Sequence, residues 1–296
     1  MKFLLSHPKV YFLRVYQLFD SLNLEKIMKL SNITILFLLV TAAISPPFTA
    51  TSAEPDGRWI MEQVDARDDG DNQISENIMI LIDKKGHERR RKMKVFSKDQ
   101  GRDTRRLQFF MSPADVKGTG FLTYDYYSGE KDDDQWLYLP DLRKTKRIAT
   151  SDKSSSFMGS DFSYADMTRR VLDEWKYRLL KQDSVDGKKV WLVEAIPVSK
   201  DVENRYGYKK SIVFVRQDIF MVIRAVHVLK EGNKIKYMET KQIDQIDGVW
   251  VATEIRMKTT RNKRTLHRTV LKWSNIRFNQ DLDDSIFSVR QLEKGI

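Results

Sequence analysis

The residues with catalytic potential in this sequence lie in one charged loop. Ser128 and Lys131 have the Ser-x-x-Lys spacing in which a lysine can activate a serine nucleophile, but the other signatures of that hydrolase class are missing. The sequence has no Gly-x-Ser-x-Gly nucleophile elbow and no cysteine. The adjacent carboxylates, Asp132 to Asp134, do not define a glycosidase pair and are expected to solvate a loop. We therefore predict no catalytic residue and no enzyme; a hydrolase is the alternative that esterase and glycosidase screens would test.

The acidic turn at residues 65–76 matches a calcium-binding loop in part of its pattern. The matching positions of an EF-hand loop are Asp65, Asp69, Gly70 and Glu76. However, Arg67 stands where an oxygen ligand belongs, and a strand pattern rather than a helix follows. The three histidines beyond residue 53 are far apart in the sequence. We predict a turn that ends a helix, with no metal site and no cofactor.

The densest positive charge lies at residues 84–94, KKGHERRRKMK. As a strand, this segment places cations on both faces near its start, and charge of this kind protects an exposed sheet edge from unwanted pairing. Alternatively, Arg89, Arg90, Arg91 and Lys92 form a docking patch for anionic lipid or a membrane partner. Edge protection is the favoured interpretation, and the docking patch is kept as a candidate surface.

Residues 28–53 have the pattern of a secretory signal peptide. Lys29 gives a positive start, Ile33 to Ile44 is apolar apart from two threonines, and small residues end at Ala53. The apolar run is shorter than the ~20 residues that span a bilayer, so cleavage near Ala53 is predicted over a membrane anchor. Met28 is then the natural start, and residues 1–27 are an upstream extension whose translation N-terminal sequencing would test.

Export would place the protein in the periplasm, and this limits the partners that it can meet. Residues 54–296 are long enough for one domain with its own core. A bacterial lipoprotein is acylated on a cysteine directly after the cleavage site, where this chain has Glu54, so a protein free in solution is predicted. The net charge of +11 suits anionic lipid or acidic protein surfaces, or equally serves solubility alone, while the compartment argues against nucleic acid.

Beyond residue 54 the pattern predicts one short helix and then many strands. Residues 55–66 form the helix, and Gly70 stops it. Runs of β-branched and aromatic residues follow. The predicted strands are 74–82, 87–96, 104–111, 119–125, 134–139, 174–182, 188–197, 207–216, 219–230, 234–243, 249–258 and 265–276. Turn residues at 186–187, 231–233, 247–248 and 260–262 predict hairpins. The second half is therefore expected to be an antiparallel meander.

Several of these strands are apolar on both faces, such as 212–215 (IVFV) and 220–223 (FMVI). A sheet with one solvated face shows polar residues at every second position. The runs therefore predict that both faces are covered or that one lines an apolar hollow. A strongly curved sheet with helices on its concave side satisfies this pattern.

A loop-rich segment, residues 151–172, separates the two groups of strands. Ser163 and Asp166 have the spacing of a capping box, which predicts a short helix over residues 165–172. Phe157, Met158 and Phe162 precede this helix. A mobile lid over a cavity and an ordinary connection whose aromatic side chains complete the core both fit the pattern, and the ordinary connection is slightly favoured.

Two motifs resemble those of the LolA-like, outer-membrane lipoprotein-sorting family of Gram-negative bacteria. They are WLYLP at 136–140, followed by Arg143, Lys144 and Arg147, and FMGSDFSY at 157–164. Residues 64–71 and PADVKG at 113–118 add to a likeness that covers most of residues 57–292. The resemblance implies a mainly β fold with a few helices: an incomplete, strongly curved antiparallel β-barrel whose open concave side the helices cover.

The resemblance also implies a function. It is that of a soluble periplasmic carrier, which binds lipoprotein acyl chains or other lipid in an apolar cavity and delivers them toward the outer membrane. The implied partners are the lipidated protein or lipid cargo, an inner-membrane transporter or export pump and an outer-membrane acceptor. The alternative is a lipid-sensing or export-pump-associated periplasmic interaction module. The candidate cavity residues are Trp136, Tyr138, Phe157, Met158, Phe162, Phe214, Met221, Trp250, Met257 and Trp273.

Overall fold

A computed structural model describes residues 55–296 of the chain. The predicted extension and signal peptide lie outside the described residues. The helices are α1 (Gly57–Asp65), α2 (Lys200–Tyr206) and α3 (Val289–Lys294). The strands of the first half are β1 (Asn72–Ile82), β2 (Glu88–Gln100), β3 (Asp103–Ser112), β4 (Gly120–Asp125), β5 (Asp134–Leu139) and β6 (Lys144–Arg147). The strands of the second half are β7 (Trp175–Val185), β8 (Lys188–Pro197), β9 (Tyr208–Arg216), β10 (Val222–Leu229), β11 (Lys234–Ile246), β12 (Val249–Arg261) and β13 (Arg264–Phe278).

All of these strands belong to one antiparallel sheet, in the order β6-β5-β4-β3-β2-β1-β13-β12-β11-β10-β9-β8-β7. The first arm, β1 to β6, runs outward from the centre, and the second arm, β7 to β13, returns from the opposite edge. The first and last strands pair in the middle, with Gln73 opposite Phe278 and Ile82 opposite Arg268. The sheet is not closed, because β6 and β7 are its two outer strands. The predicted mainly β, antiparallel architecture is confirmed.

The hairpin turns lie at or next to the turn residues that predicted them. Asp186-Gly187 and Asp247-Gly248 both have positive φ angles, 51° and 78° in the first pair and 51° and 87° in the second, which suit the twist of the flanking strands. Residues 262–263 make the turn that was predicted one residue earlier. Every predicted strand is present, but β6, α2 and α3 were not predicted. The sequence of β6, KTKR, has no apolar residue to mark it.

The helices cover different faces of the sheet. α1 lies directly on β7, because a Cβ atom on Gly57 would be 2.7 Å from the backbone of Arg178. Its Ile60 packs against inward residues of β8 and β9. α3 places Leu292 against Phe109 and Leu122 on the opposite face of the first arm from the buried Phe110. α3 therefore covers one face of the first arm, and the segment between β6 and β7 covers the opposite face.

Candidate functional site

The segment between β6 and β7, residues 148–174, joins the two outer edges of the sheet. We call it the crossing segment. Within it, residues 156–163 form a small loop, the lid hairpin, in which the Phe157 N–H donates to the Phe162 carbonyl at 2.7 Å and Ser156 bridges Ser163. At its tip Met158 has a φ angle of 51°. The lid hairpin is therefore held in one shape by its own backbone.

The predicted capping box is confirmed, but the helix predicted after it is not. Ser163 accepts from the Asp166 N–H and Asp166 accepts from the Ser163 N–H, at the start of a single 3-10 turn, Tyr164–Met167. The chain is extended at Thr168. The prediction of a helix over 165–172 was wrong because tertiary partners take the backbone groups. Arg106 donates to the Met167 carbonyl, and the Arg169 N–H donates to Asp125.

Aromatic side chains of the lid hairpin fill the interior of the first arm. Phe157 is 1% exposed, and its ring centroid lies 5.0 Å from that of Phe121 and 6.3 Å from that of Phe110. Phe162 is buried in the same cluster, together with Met257 from β12. Here the space is occupied by the chain's own side chains.

The lid hairpin is fastened to β12 and β13 through one buried carboxylate. Asp161 accepts from the hydroxyl of Thr259 at 2.5 Å and from that of Thr269 at 2.8 Å, and His267 Nδ1 lies 2.8 Å from its second oxygen. The Asp161 N–H also donates to the Thr269 hydroxyl. Side chains alone therefore satisfy this carboxylate, and it needs no metal ion to be buried.

The second half of the crossing segment meets a different surface. Tyr208 donates to Asp166 at 2.8 Å, and Lys236 Nζ lies 3.6 Å from the same carboxylate. Burial alone would raise the pKa of Asp166, but Lys236 and the Ser163 N–H outweigh it, so the pKa lies below its usual range. His227 stacks on Tyr208 at 4.5 Å, and burial together with Arg170 lowers its pKa to about 3. We call Asp166, Tyr208, His227 and Lys236 the polar anchor.

The acidic run at 132–134 also holds the crossing segment. Lys153, which is 2% exposed, donates to the Asp132 carboxylate at 2.5 Å and to the Asp133 carbonyl at 2.8 Å. Asp134 is buried against Arg147. The expectation that this run merely solvates a loop was wrong, because the sequence alone does not show which cations lie beside it.

The structure divides the ten candidate cavity residues between several surfaces. Phe157, Phe162 and Met257 are buried in the cluster under the lid hairpin, with Met158 and Trp273 at its edge. Trp136 and Tyr138 lie on the α3 side of the first arm. Phe214 packs with Leu192 on the face of the second arm away from α1. Met221 is buried just before β10, and the carbonyl of Trp250 accepts from Arg67.

The candidate docking patch lies at the start of β2. This strand is not an edge strand, but its pairing with β3 begins only at Lys92, so residues 88–91 bond to β1 alone. Arg89, Arg90 and Lys92 are exposed. Arg91 is partly buried and donates to the Met158 carbonyl at 2.5 Å. One residue of the predicted patch is therefore a contact of the lid hairpin.

A polar cleft of about 590 Å³ lies between α1, the loop after β4 and the end of the crossing segment. We call it the arginine cleft. Its lining residues include Arg58, Arg102, Arg169, Arg170 and Tyr127, with Asp65, Glu130 and Asp173 among the acidic ones. Arg102 stacks on the Tyr127 ring at 3.3 Å. The sequence analysis did not identify these arginines. Their one signal in the sequence is that Arg169 and Arg170 are adjacent just before a predicted strand.

Two kinds of feature are absent from the described residues. No group of three or more His, Asp or Glu side chains within 55–296 is arranged to hold a metal ion. No helix in that range has the length and apolarity needed to cross a bilayer.

An open antiparallel sheet whose two edges are joined across an apolar interior defines the class of curved, incomplete β-barrels. Among solved structures, the chain is similar to a DUF1329 family protein from Desulfovibrio piger ATCC 29098, at 32% identity and a TM-score of 0.73, covering 80% of this chain and 97% of that one. It is similar to a domain described as an outer membrane lipoprotein-sorting protein from Vibrio parahaemolyticus, at 30% identity and a TM-score of 0.72, covering 80% and 98%. A LolA superfamily protein from Nitrosomonas europaea shares the fold, at 20% identity and a TM-score of 0.61, covering 80% and 99%.

A family model described as "-like: Uncharacterized protein" matches residues 102–294. None of the curated proteins matches the chain. The chain belongs to the LolA-like family of outer-membrane lipoprotein-sorting proteins. The resemblance read from the WLYLP and FMGSDFSY motifs is thereby confirmed, as is the incomplete curved barrel that it implied.

Proposed function

We propose that the protein is a periplasmic carrier that shelters an acyl chain of a lipoprotein or another lipid beneath the lid hairpin and breaks no covalent bond. The observation that carries this proposal is the position of Phe157 and Phe162, which occupy apolar space between the crossing segment and the sheet. A hydrocarbon chain that displaced these rings would make the apolar contacts with the sheet that the rings now make. Each buried methylene of the cargo contributes about 0.8 kcal/mol.

The surface beneath the lid hairpin suits variable cargo. Met79, Met93 and Met257 are buried around Phe157. Methionine side chains are flexible and polarisable, so they repack around chains of different length. Lipoprotein sorting is the description of the relative from Vibrio parahaemolyticus, and it supports lipid cargo for this chain.

The compartment belongs to the same proposal. A signal peptide at residues 28–53 would deliver the chain to the periplasm, from which cargo moves toward the outer membrane. N-terminal sequencing of the secreted protein is expected to start near Glu54. A start at Met1 or Met28 would contradict cleavage.

Lipid extraction followed by mass spectrometry tests the carrier directly. Protein purified without detergent is expected to release bound lipid. The protein has no native cysteine, so the double variant Asp161→Cys, Thr269→Cys introduces a single pair of thiols, at positions where Asp161 Oδ2 and Thr269 Oγ1 now lie 2.8 Å apart. The oxidised variant should exclude added phospholipid, and the same variant after reduction should load it. Equal loading of both forms would contradict entry beneath the lid hairpin.

A second candidate function is an interaction module of an export pump, and the exposed Arg89 and Arg90 favour it. The double variant Arg89→Ala, Arg90→Ala leaves the Arg91 contact with Met158 in place. If the protein is a module of this kind, a pull-down of membrane partners should depend on these two arginines and be unaffected by bound lipid. Capture that is unchanged in the double variant would remove this candidate.

A further inference from the structure

The four central strands of the sheet, β2, β1, β13 and β12, have a second face on the side away from the lid hairpin. Met93, Leu271 and Met257 of these strands belong to the cluster under the lid hairpin. Successive side chains of a strand alternate, so the chain neighbours of these three residues project from the opposite face. We call that surface the basic face. Its residues are Glu88, Arg90 and Lys92 of β2, Ile78, Ile80 and Ile82 of β1, Arg268, Val270 and Lys272 of β13, and Glu254, Arg256 and Lys258 of β12.

The strand register arranges the basic face in three rows. In the middle row, Arg90 lies opposite Ile80, Ile80 opposite Val270, and Val270 opposite Arg256. One flanking row has an isoleucine of β1 between two lysines, and the other has one between a glutamate and an arginine. In order, these rows are Lys92, Ile78, Lys272 and Glu254, and Glu88, Ile82, Arg268 and Lys258. Cations therefore surround an apolar centre formed by β1.

Cations outnumber carboxylates on the basic face by six to two. Glu254 is shared between Arg256, at 2.6 Å, and Lys272, at 2.9 Å. Glu88 pairs with Arg90 at 2.8 Å. Each carboxylate thus neutralises one charge at most, and the face keeps a positive excess.

Two cations of the basic face account for much of this excess. Lys92 and Arg268 are both exposed, and no carboxylate within residues 55–296 lies at ion-pair distance from either of them. Arg268 also acts on its neighbour in β12. Burial together with Arg268 lowers the pKa of Lys258, although Glu239 in the next strand acts in the opposite direction. Like charges are therefore held close together on this face.

We propose that the basic face docks onto the surface of an anionic lipid bilayer. Guanidinium groups such as those of Arg90 and Arg268 match the oxygens of lipid phosphates, and lysines add positive charge beside them. Lipid head groups are mobile, so they can adapt to rows of cations that present no pocket. The apolar centre lets the aliphatic stems of the long side chains lie against the sheet while their charged ends reach the phosphates. The helices pack elsewhere, α1 on β7, α2 on β8 and β9, and α3 on β4 and β5.

The docked orientation leaves the lid hairpin uncovered. Arg91, which lies between Arg90 and Lys92, donates to the Met158 carbonyl, and Thr269, next to Arg268, donates to Asp161. The lid hairpin therefore lies on the opposite side of the same strands. A bilayer would tether the protein without closing the space under the lid hairpin, so the proposal goes beyond the carrier function and does not rest on it.

The structure also divides the docking patch that the sequence indicated. Arg90 and Lys92 belong to the basic face, whereas Arg89 and Arg91 project from the other side of β2. The cations that complete the basic face come from β12 and β13, more than 160 positions later in the chain, as the numbering shows. Only the pairing of β1 with β13 brings the two groups together.

Sedimentation with sucrose-loaded vesicles tests the proposal on the purified protein. Vesicles of phosphatidylglycerol and phosphatidylcholine in equal parts should bind the protein at about 50 mM salt, and raising the salt to about 0.5 M should release it. Vesicles of phosphatidylcholine alone should not bind. Failure of the wild-type protein to bind the anionic vesicles at low salt would overturn the proposal.

A matched pair of variants locates the binding surface. Each Lys or Arg near an anionic surface contributes about fivefold to partitioning, so Lys92→Gln, Arg268→Gln should lower it about 25-fold. Lys176→Gln, Lys189→Gln removes the same charge from exposed positions on β7 and β8, at one edge of the sheet, and should change partitioning less than about twofold. Equal losses in the two double variants would show that net charge alone drives binding, and would overturn the basic face.

Two further measurements separate this proposal from its neighbours. If polyglutamate binds through Lys92 and Arg268 while anionic vesicles do not bind, the bilayer is overturned in favour of an acidic protein. The Asp161→Cys, Thr269→Cys variant should bind vesicles equally well when oxidised and when reduced; loss on oxidation would contradict docking by the face away from the lid hairpin. Lipid carried without vesicle binding removes this proposal alone, and vesicle binding without carried lipid contradicts the carrier alone.

Discussion

The two halves of the crossing segment are held by different proportions of apolar and polar contacts. The lid hairpin inserts two phenylalanine rings among apolar side chains and adds one carboxylate clamp at Asp161. The polar anchor, a few residues later, holds Asp166 with Tyr208 and Lys236 where little water reaches. Apolar contacts can be exchanged for other apolar contacts at little cost, whereas opening a buried ionic network leaves charges uncompensated. The comparison teaches that the rings of the lid hairpin can be exchanged for other apolar groups only once the Asp161 clamp opens, whereas the polar anchor has to stay in place.

The largest expected effect comes from removing the cation of the polar anchor. Lys236→Met keeps most of the side-chain volume but leaves Asp166 without its cation, so the free energy of unfolding should fall by about 4 kcal/mol. Urea unfolding of the variant and the wild-type protein measures the change. Lys241→Met, on the exposed part of the same strand, is the matched control and should change stability by less than about 0.5 kcal/mol. A similar loss of unfolding free energy in the two variants would mean that Lys236 stabilises the fold no more than an exposed lysine does.

The next test removes the main ring of the lid hairpin. Phe157→Ala should lower the free energy of unfolding by about 3 kcal/mol, because the ring is fully buried. Unlike the anchor variant, it should also take up more added phospholipid, since the cargo no longer competes with the ring. Thermal unfolding with and without lipid measures both effects. A stability loss with no gain in lipid uptake would indicate that Phe157 is ordinary core.

A pH-dependent test addresses the part of the crossing segment that follows the polar anchor, where the Arg169 N–H donates to Asp125. Burial, with Asp133 nearby, raises the pKa of Asp125 to about 6 in the folded state, above its usual range near 4. The folded state therefore holds this proton more tightly, and the resulting stability is present below pH ~4 and lost as the pH rises through about 6. Asp125→Asn cannot titrate, so its stability relative to wild type should increase by about 2 kcal/mol between pH 4 and pH 7. A constant difference in urea unfolding across that range would refute the assignment.

The smallest expected effect separates neighbouring arginines of the docking patch. Arg91→Gln loses a charge-assisted hydrogen bond to the tip of the lid hairpin and should cost about 1 kcal/mol. Arg90→Gln, exposed one residue earlier, should stay within about 0.5 kcal/mol of wild type. Hydrogen exchange of the lid hairpin should rise in the first variant alone. Equal exchange in both would show that Arg91 does not restrain the tip.

The strands and hairpins were predictable because their signals are local. Alternating or continuous apolar runs bounded by Asp-Gly turns specify strands wherever they occur in the chain. The four-residue β6 has no such signal, and only its pairing with β5 makes it a strand. The seven residues of α2 depend on a cap at Ser199 and on packing of Val202 and Tyr206 against β7 and β9. Short elements of this kind are stabilised by contacts that a linear pattern does not contain.

The candidate site was predictable only in part, for a reason that the β9 run illustrates. Val213, Phe214 and Val215 are all buried, but Phe214 faces away from α1 while its two neighbours face it. When both faces of a sheet are covered, alternation no longer tells which residues face the interior. The lid hairpin was found because its aromatic residues cluster in sequence. The arginine cleft was missed because Arg58, Arg102 and Arg170 lie far apart in the sequence and only the three-dimensional structure brings them together.

The pairing of the first strand with the last one also has a kinetic consequence. Gln73 and Phe278 become neighbours only after nearly the whole domain has been synthesised, so the central ladder has a very high contact order and should form slowly. Until β13 arrives, β1 and β12 both present unpaired backbone groups at the middle of the future sheet. A holdase chaperone that occupies these strands during biogenesis would therefore protect the nascent domain from aggregation better than one that binds its outer rims.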